Sequence, residues 1–240
     1  MSKAIRTISV IIPAYNEEKR LPKTLQKWQD FLNTKNNLDY KISEIIVVDD
    51  GSKDKTISVA QYFENFLPIK IIKIEKNQGK GNAIRAGVKK SFGDFIFIYD
   101  ADAAVLPEEI QRLLAQTNNA DIIIGSRTAK DSKTKMSIKR RIIGICFHIL
   151  CYPLLPKIKD ASCGAKLLKT NIAKQIFNLQ KINRFAFDIE ILWLAQKSNF
   201  KIKEVGVTWQ EIPESKVNIF YDSIEMLFSV LRIYKKQIFG

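Results

Sequence analysis

A chain of 240 residues, 46% hydrophobic and 27% charged, carries enough apolar material for one full core, which argues against a disordered or low-complexity protein. Its formal charge of +14 points to an anionic partner: nucleic acid, a phosphorylated substrate or an acidic membrane surface. Three cysteines, Cys146, Cys151 and Cys163, show no CxxC spacing, which argues against a disulfide framework or zinc knuckle and suits a reducing compartment.

No long apolar run follows the N-terminal charges, so no signal peptide is expected. No apolar stretch reaches about 18 residues, so a spanning helix is not expected either, and the chain reads as soluble or peripheral. Thr7 to Ile12 is a β-branched run closed by Pro13; Leu21, Leu25, Trp28 and Leu32 then recur at helical spacing. Ile45 to Val48 is a continuous apolar run, as in a parallel strand buried on both faces. A helix with Val59, Phe63 and Phe66 follows Asp49-Asp50-Gly51-Ser52, and Ile69 to Ile74 is a third strand. Next come a glycine-rich turn, a helix from about Asn82 to Phe92, and a strand from Phe95 to Tyr99. Pro107 opens a short helix through Leu114, and Ile122 to Ile124 is a fifth strand.

This alternation predicts an α/β fold: an open, mostly parallel, Rossmann-like sheet flanked by helices. Such sheets bind ligands outside the carboxyl ends of their strands. The polar clusters fall there: Asn16-Glu17, Asp49-Asp50, Asn77 to Asn82, Asp100 to Asp102, and Gly125-Ser126-Arg127.

The second half reads differently. Arg127 to Arg141 holds seven Lys or Arg against the single acid Asp131, which predicts a mobile basic loop. The most apolar segment, Ile142 to Pro156, follows, and then DASCGAKLL from Asp160 to Leu168. Phe187, Ile191 and Leu194 align on a helix near Asn183 to Lys197, and Phe200 to Trp209 reads as a strand. Ile219 to Phe239 is expected to be an amphipathic helix with Ile224, Leu227, Leu231 and Ile238 on one face.

Asp100 and Asp102 point the same way if their strand continues, so both carboxylates can reach one hard cation such as Mg²⁺ or Mn²⁺. They can equally cap the helix near Pro107. Asp49 and Asp50 suit the N–H and hydroxyl donors of a nucleotide, while Ser52 or Asp54 suits helix capping. Asn77-Gln78-Gly79-Lys80-Gly81 lacks Walker spacing; it is either a glycine turn or a source of N–H groups and a lysine for an anion. Arg127 and the basic loop can hold a phosphate or simply be solvated. His148, the one histidine, lies in the apolar segment, so it reads as packed, and a Ser/His/Asp triad or histidine metal site is set aside.

Taken together, VIIPAYNEE (from Val10), IIVVDDGSKDKT (from Ile45), NQGKGNAIRAG (from Asn77), YDADAA (from Tyr99) and IIIGSR (from Ile122) resemble the family 2 inverting glycosyltransferases of GT-A fold. DASCGAKLL, RFAFDIEILWLAQ and VGVTWQEIPESK extend the resemblance to the polyprenyl-phosphate sugar synthases, and most to the dolichyl-phosphate β-glucosyltransferase group. The resemblance implies transfer of glucose from UDP-glucose to dolichyl or another polyprenyl phosphate, with GDP-mannose as the alternative donor. It implies a metal ion, Mg²⁺ or Mn²⁺, on Asp102 and Asp100, and Pro13, Tyr15, Glu17, Asp49, Asp50, Gly79, Lys80 and Asp100 around the nucleotide sugar. Arg127, Arg140, Arg141 and Lys166 would serve the acceptor phosphate, with Asp160 and Gly164 on the same side. Asp100, Asp102 and Arg127 would form the catalytic set. Mannosyl members often carry a glutamine ligand where this chain has Ala104, which leaves the diphosphate and water to complete the metal shell.

A GT-A domain is expected over residues 1–215, with a nucleotide-sugar half at 1–127 and an acceptor half at 128–215. Residues 216–240 would form the amphipathic helix. A phosphate monoester is already ionised near neutral pH, its second pKa being about 6, so the acceptor needs charge screening more than a general base. That accounts for the missing catalytic histidine and the basic excess together. Asp188 or Glu190 is a weaker base candidate than a packing residue. Ile142 to Leu155, beside Lys139-Arg140-Arg141, suits either an interfacial helix at a cytosolic membrane face or a core helix. Nucleic acid is not expected as the partner, because no RRM, KH or helix-turn-helix pattern accompanies the charge. Oligomeric state is left open by the sequence.

Overall fold

The computed structural model describes residues 5–34, 39–212 and 226–235. Alternation along β1 (Arg6–Ala14) sends Ile8, Val10 and Ile12 to one face of the sheet and Ile11 to the other. The same two-sided burial holds for β2 (Tyr40–Asp49), where Ile45 and Val47 oppose Ile46 and Val48. Helices therefore cover both faces. On one lie α1 (Leu21–Thr34), α2 (Thr56–Phe63) and α4 (Glu109–Leu114); on the other lie α3 (Lys80–Lys90), α6 (Thr170–Leu179) and α7 (Phe187–Lys197).

The remaining strands are β3 (Ile69–Lys73), β4 (Phe95–Ile98), β5 (Ile122–Ser126), β7 (Lys166–Lys169) and β8 (Ile202–Gly206), in the order β3-β2-β1-β4-β7-β5-β8. All neighbours pair in parallel except β7, which runs antiparallel to both β4 and β5. The expected open, mostly parallel sheet is present. Strand order reverses on either side of β1, which opens a crevice between the ends of β1 and β4. The strand expected from Phe200 to Trp209 is two: β8, and then β9 (Thr208–Gln210).

The basic segment after β5 departs from the mobile loop expected. Its residues form β6 (Lys133–Lys135), paired in parallel with β9, and then α5 (Ile138–Cys151). Asp131, the one acid there, anchors it: its carboxylate pairs with Arg112 at 2.5 Å and accepts the Gly206 N–H at 3.2 Å. One acid with two partners distant in sequence orders a segment that a charge count alone suggests is loose.

α5 is part buried and part exposed. Cys151, Leu154 and Leu155 at its end are buried, while Ile138, Ile142, Ile145, Ile149 and Tyr152 form an exposed stripe at helical spacing. Residues 226–235 are helical and pack beside it, Tyr234 donating its hydroxyl to the Leu150 carbonyl at 2.9 Å. Of the expected apolar face, Leu227 and Leu231 are exposed, while Ser229, Val230 and Ile233 turn inward. The rest of that expected helix, including Ile224 and Ile238, lies outside the described residues. Among the described residues no helix is long and apolar enough to cross a membrane.

Candidate active site

One aromatic cluster sets the end of β4. Trp28 on α1 meets Phe31, Phe97 and Tyr99 with ring centroids at 5.8, 6.2 and 5.3 Å. Each such pair contributes about 0.5–1.5 kcal/mol beyond its buried area. Below that cluster the chain does not continue as strand. Asp100 to Ala103 make a turn, closed by the Ala103 N–H on the Asp100 carbonyl at 3.3 Å, with Ala103 at φ 50°. α1 holds the turn from its other side: Thr24 Oγ1 donates to the Ala101 carbonyl at 2.6 Å and Lys27 Nζ to the Ala103 carbonyl at 3.2 Å. Asp102 accepts the Ala104 N–H at 3.0 Å, and α4 has no side-chain cap, so the two aspartates do not serve as its cap.

The two carboxylates differ in their surroundings. Burial would raise the Asp100 pKa, but Lys80, 2.6 Å from Oδ1, with Lys166 and Arg127 behind it, holds it below the usual carboxylate value. Asp102 has no ion pair among the described residues; burial and then the neighbouring Asp100 charge push its pKa up, against weaker pulls from Lys80 and Arg20. A like-charge pair left short of compensation suits a divalent cation, and Mg²⁺ commonly takes only one or two protein carboxylates. No group of three or more His, Cys, Asp or Glu in metal-holding geometry occurs among the described residues. The donor set therefore fits a hard ion held by Asp102 and Asp100 and otherwise by substrate and water.

The loops after β1 and β2 are stitched together. Asn16 N–H donates to Ser52 Oγ at 2.8 Å, Lys53 N–H to Asn16 Oδ1 at 2.7 Å, and Glu17 N–H to Thr56 Oγ1 at 2.7 Å. Pro13 is half-buried, Tyr15 exposed, and the Glu17 carboxylate pairs with Arg20, a residue whose role the sequence did not signal. Asp49 is buried, with Oδ2 accepting the Ser52 N–H at 3.2 Å and Oδ1 unpartnered. Asp54, not Ser52, meets the first turn of α2, accepting the Thr56 N–H at 3.0 Å.

The glycine turn corrects one expectation. The anion its N–H groups hold is Asp50, which accepts from Gln78 at 3.0 Å and Gly79 at 2.7 Å. Burial still raises the Asp50 pKa despite those bonds. Gly79 sits at φ 105°, and a Cβ there would stand 2.6 Å from the Asn183 carbonyl, so only glycine fits. This turn aims Lys80 at Asp100. Burial works against the lysine's charge, and Asp100 and then Asp188 more than offset it, leaving the pKa raised. A cavity of about 330 Å³, lined by Lys181, Arg184 and Arg232 among others, lies behind the turn, away from the two carboxylates.

Residues from the second half complete the site from above. Gly164 lies so close to Asp100 that a Cβ would overlap its carboxylate. Arg127 grips buried Asp160 with Nε at 2.8 Å and an Nη at 2.6 Å, and the same Nη donates to Ser162 Oγ at 2.8 Å. Burial opposes both charges of this pair; the bidentate bonds overcome it, raising the arginine pKa and lowering that of Asp160. Lys166 does not reach the mouth of the site, as its expected contact with the acceptor phosphate would need. It is buried, its ammonium 2.6 Å from Asp188 Oδ1 and 2.5 Å from the Cys163 carbonyl. Its charge acts at a distance, on Asp100. Glu190 is buried and accepts the Lys181 and Ile182 N–H groups, a loop-ordering role. Arg140 is half-buried beside Trp209, whereas the Arg141 side chain is exposed on α5, with no hydrogen bond or ion pair among the described residues. His148 packs against Tyr152 on the same helix.

The sequence profile described as "Glycosyl transferase family 2" matches residues 9–177. Among curated proteins, the dolichyl-phosphate beta-glucosyltransferase of Dictyostelium discoideum is 40% identical, covering 97% of this chain and 75% of its own length. The protein of that name from Homo sapiens is 35% identical, with 98% and 77% covered. Among solved structures, glucosyl-3-phosphoglycerate synthase from Mycobacterium tuberculosis, in complex with Mn²⁺, UDP-glucose and glycerol 3-phosphate, superposes with a TM-score of 0.69. At 17% identity, with 95% of this chain and 80% of that one covered, the likeness is one of fold.

Proposed function

The chain belongs to glycosyl transferase family 2, and on that premise we propose that it transfers glucose from UDP-glucose to dolichyl or another polyprenyl phosphate, with inversion at the anomeric carbon. The observation that carries this is the convergence on Asp100. Lys80 from the nucleotide side pairs with its carboxylate, Gly164 from the acceptor side leaves it room, and Asp102 stands two residues on.

An oxygen of the lipid phosphate bonds to the anomeric carbon as the bond to UDP breaks, and the electron pair leaves with the diphosphate. No proton need move, since the nucleophile is ionised at neutral pH. Arg127, and beside it Arg140, screen its charge on approach, and preorganised cations of this kind need no rearrangement during the step. On the donor side Pro13, Tyr15, Glu17, Asp49, Asp50, Gly79 and Lys80 border the nucleotide. The unpartnered Asp49 Oδ1 is an acceptor for a base or ribose donor. When bound, a Mg²⁺ or Mn²⁺ ion at Asp102 and Asp100 supplies positive charge for the departing diphosphate.

The exposed stripe Ile138, Ile142, Ile145 and Ile149, with basic residues on the same helix, supports work at an anionic membrane surface. Free Cys146, Cys151 and Cys163 support the cytosolic face of that membrane. The deciding assay offers radiolabelled UDP-glucose or GDP-mannose with polyprenyl phosphate and Mn²⁺ or Mg²⁺. Glucosyl lipid should form, and EDTA should stop it. Preference for GDP-mannose, or transfer without a lipid phosphate, would overturn the proposal.

A further inference from the structure

Trp209 has only 5% of its surface exposed, yet the neighbours of its ring are two cations from separate elements. The Arg127 guanidinium carbon lies 5.7 Å from the ring centroid and that of Arg140 lies 5.1 Å away. Two like charges gather there because the ring's negative face attracts both. Arg127 is already fixed by Asp160. Among the described residues Arg140 has one carboxylate partner, Glu211, at 3.5 Å, a loose contact on a half-buried side chain. The indole is therefore the main restraint that turns Arg140 toward Arg127.

The backbone around Trp209 is tied to the other side of the cleft. It forms an antiparallel bridge with Val105, and Gln210 N–H donates to the Ala104 carbonyl at 2.9 Å, directly after the Asp100–Ala103 turn. Glu211 in turn accepts the Ser137 N–H, at the start of α5, at 2.9 Å. Trp209 also lines a small cavity with Asp100, Asp102 and Gly164. Three consecutive residues thus touch the carboxylate turn and both arginines.

We propose that Trp209 is a positioning residue: it clamps Arg127 and Arg140 into one phosphate-gripping pair and sets that pair's distance from the carboxylate turn. This rests on the assignment of the two arginines to the acceptor phosphate. A ring that only filled space would have no reason to discriminate between the two substrates. A ring that aims the arginines affects the lipid phosphate and spares the nucleotide.

The test measures KM for polyprenyl phosphate and for UDP-glucose, and calorimetric UDP binding, in Trp209→Leu, Trp209→Phe and Arg140→Ala. Trp209→Leu should raise the acceptor KM about tenfold, equivalent to about 1.4 kcal/mol, with donor KM and UDP binding within twofold. Trp209→Phe, which keeps an aromatic face, should recover most of that loss. An unchanged acceptor KM in Trp209→Leu overturns the proposal, as does parallel loss of UDP binding, which marks a packing role. If Trp209→Leu does not fold, Trp209→Phe decides: donor and acceptor constants worsening together refute positioning. An Arg140→Ala variant with a normal acceptor KM removes the arginine assignment itself, a failure distinct from the other two.

Discussion

The first and second halves of the chain bring residues to the same rim by different routes. Between β1 and β5, each polar cluster stands at the end of the strand before it, so chain order and spatial order coincide: Asp49 ends β2, and Asp100 follows β4 within two residues. After β5, site residues arrive through distant partners. Arg127 is fixed by Asp160, Lys166 by Asp188, and Trp209 by Val105 and two arginines. The first half positions groups by backbone topology, the second by charge pairs and one ring. Substitutions should separate the two accordingly.

Asp102→Ala breaks the first half at its centre. Loss of a carboxylate serving a metal site is worth several kcal/mol, so transfer should fall about 10³-fold while circular dichroism stays native. Near-normal turnover would remove Asp102 from the catalytic set. Gly164→Ala attacks the seam between the halves. Its new methyl displaces Asp100, and misplacement by about 1 Å costs about 10²-fold in rate. Retention of full activity would show that Asp100 can move freely. Arg127→Lys probes the second half alone. It keeps the charge but loses the two-pronged grip on Asp160, so the acceptor KM should rise about tenfold with the donor KM unchanged. An equal rise in both would count against an acceptor role.

The smallest effects are thermal and opposite in sign. Asp160 has a lowered pKa, so its stabilisation is present above the ordinary carboxylate value near 4 and is lost as pH falls through the folded value. Asp102 has a raised pKa, so its favourable contribution is complete below that value and is lost as pH rises through the folded one. At pH 7, Asp102→Asn should therefore raise Tm by about 2 °C, and at pH 3 the gain should vanish. Mn²⁺ should stabilise the parent protein and not the variant. Calorimetry at both pH values checks this, and a lower Tm for Asp102→Asn at pH 7 would contradict the charge pair.

The same contrast explains what was legible in the sequence. Strands buried on both faces announce themselves as apolar runs, and half-buried β3 shows its isoleucines, so β1 to β5 and the polar residues after them could be read in order. Short antiparallel β7 was visible only as part of a motif, because Lys166 and Lys169 interrupt its apolar character while pairing with Asp188 and Asp121. The ordered basic segment was missed because Asp131 acts through Arg112 and Gly206, neither of them near it in sequence. Trp209 carried a motif but no visible role; its contacts with Arg127 and Arg140 exist only in three dimensions. Helical periodicity likewise marked residues 226–235 as amphipathic but could not say which face would find a partner.

The antiparallel strand β7 has a consequence for how the protein is made. It is the neighbour of both β4 and β5, and β5's other neighbour, β8, comes later still. A ribosome that has delivered residues 1–127 has therefore made a four-stranded sheet with an open β4 edge and a fifth strand with nothing to pair with. Unpaired edges of that kind invite aggregation, and non-local pairing is slow to form. Synthesis must pass Lys169 before the first half can close its own sheet. The two halves position their groups differently, but they share one sheet.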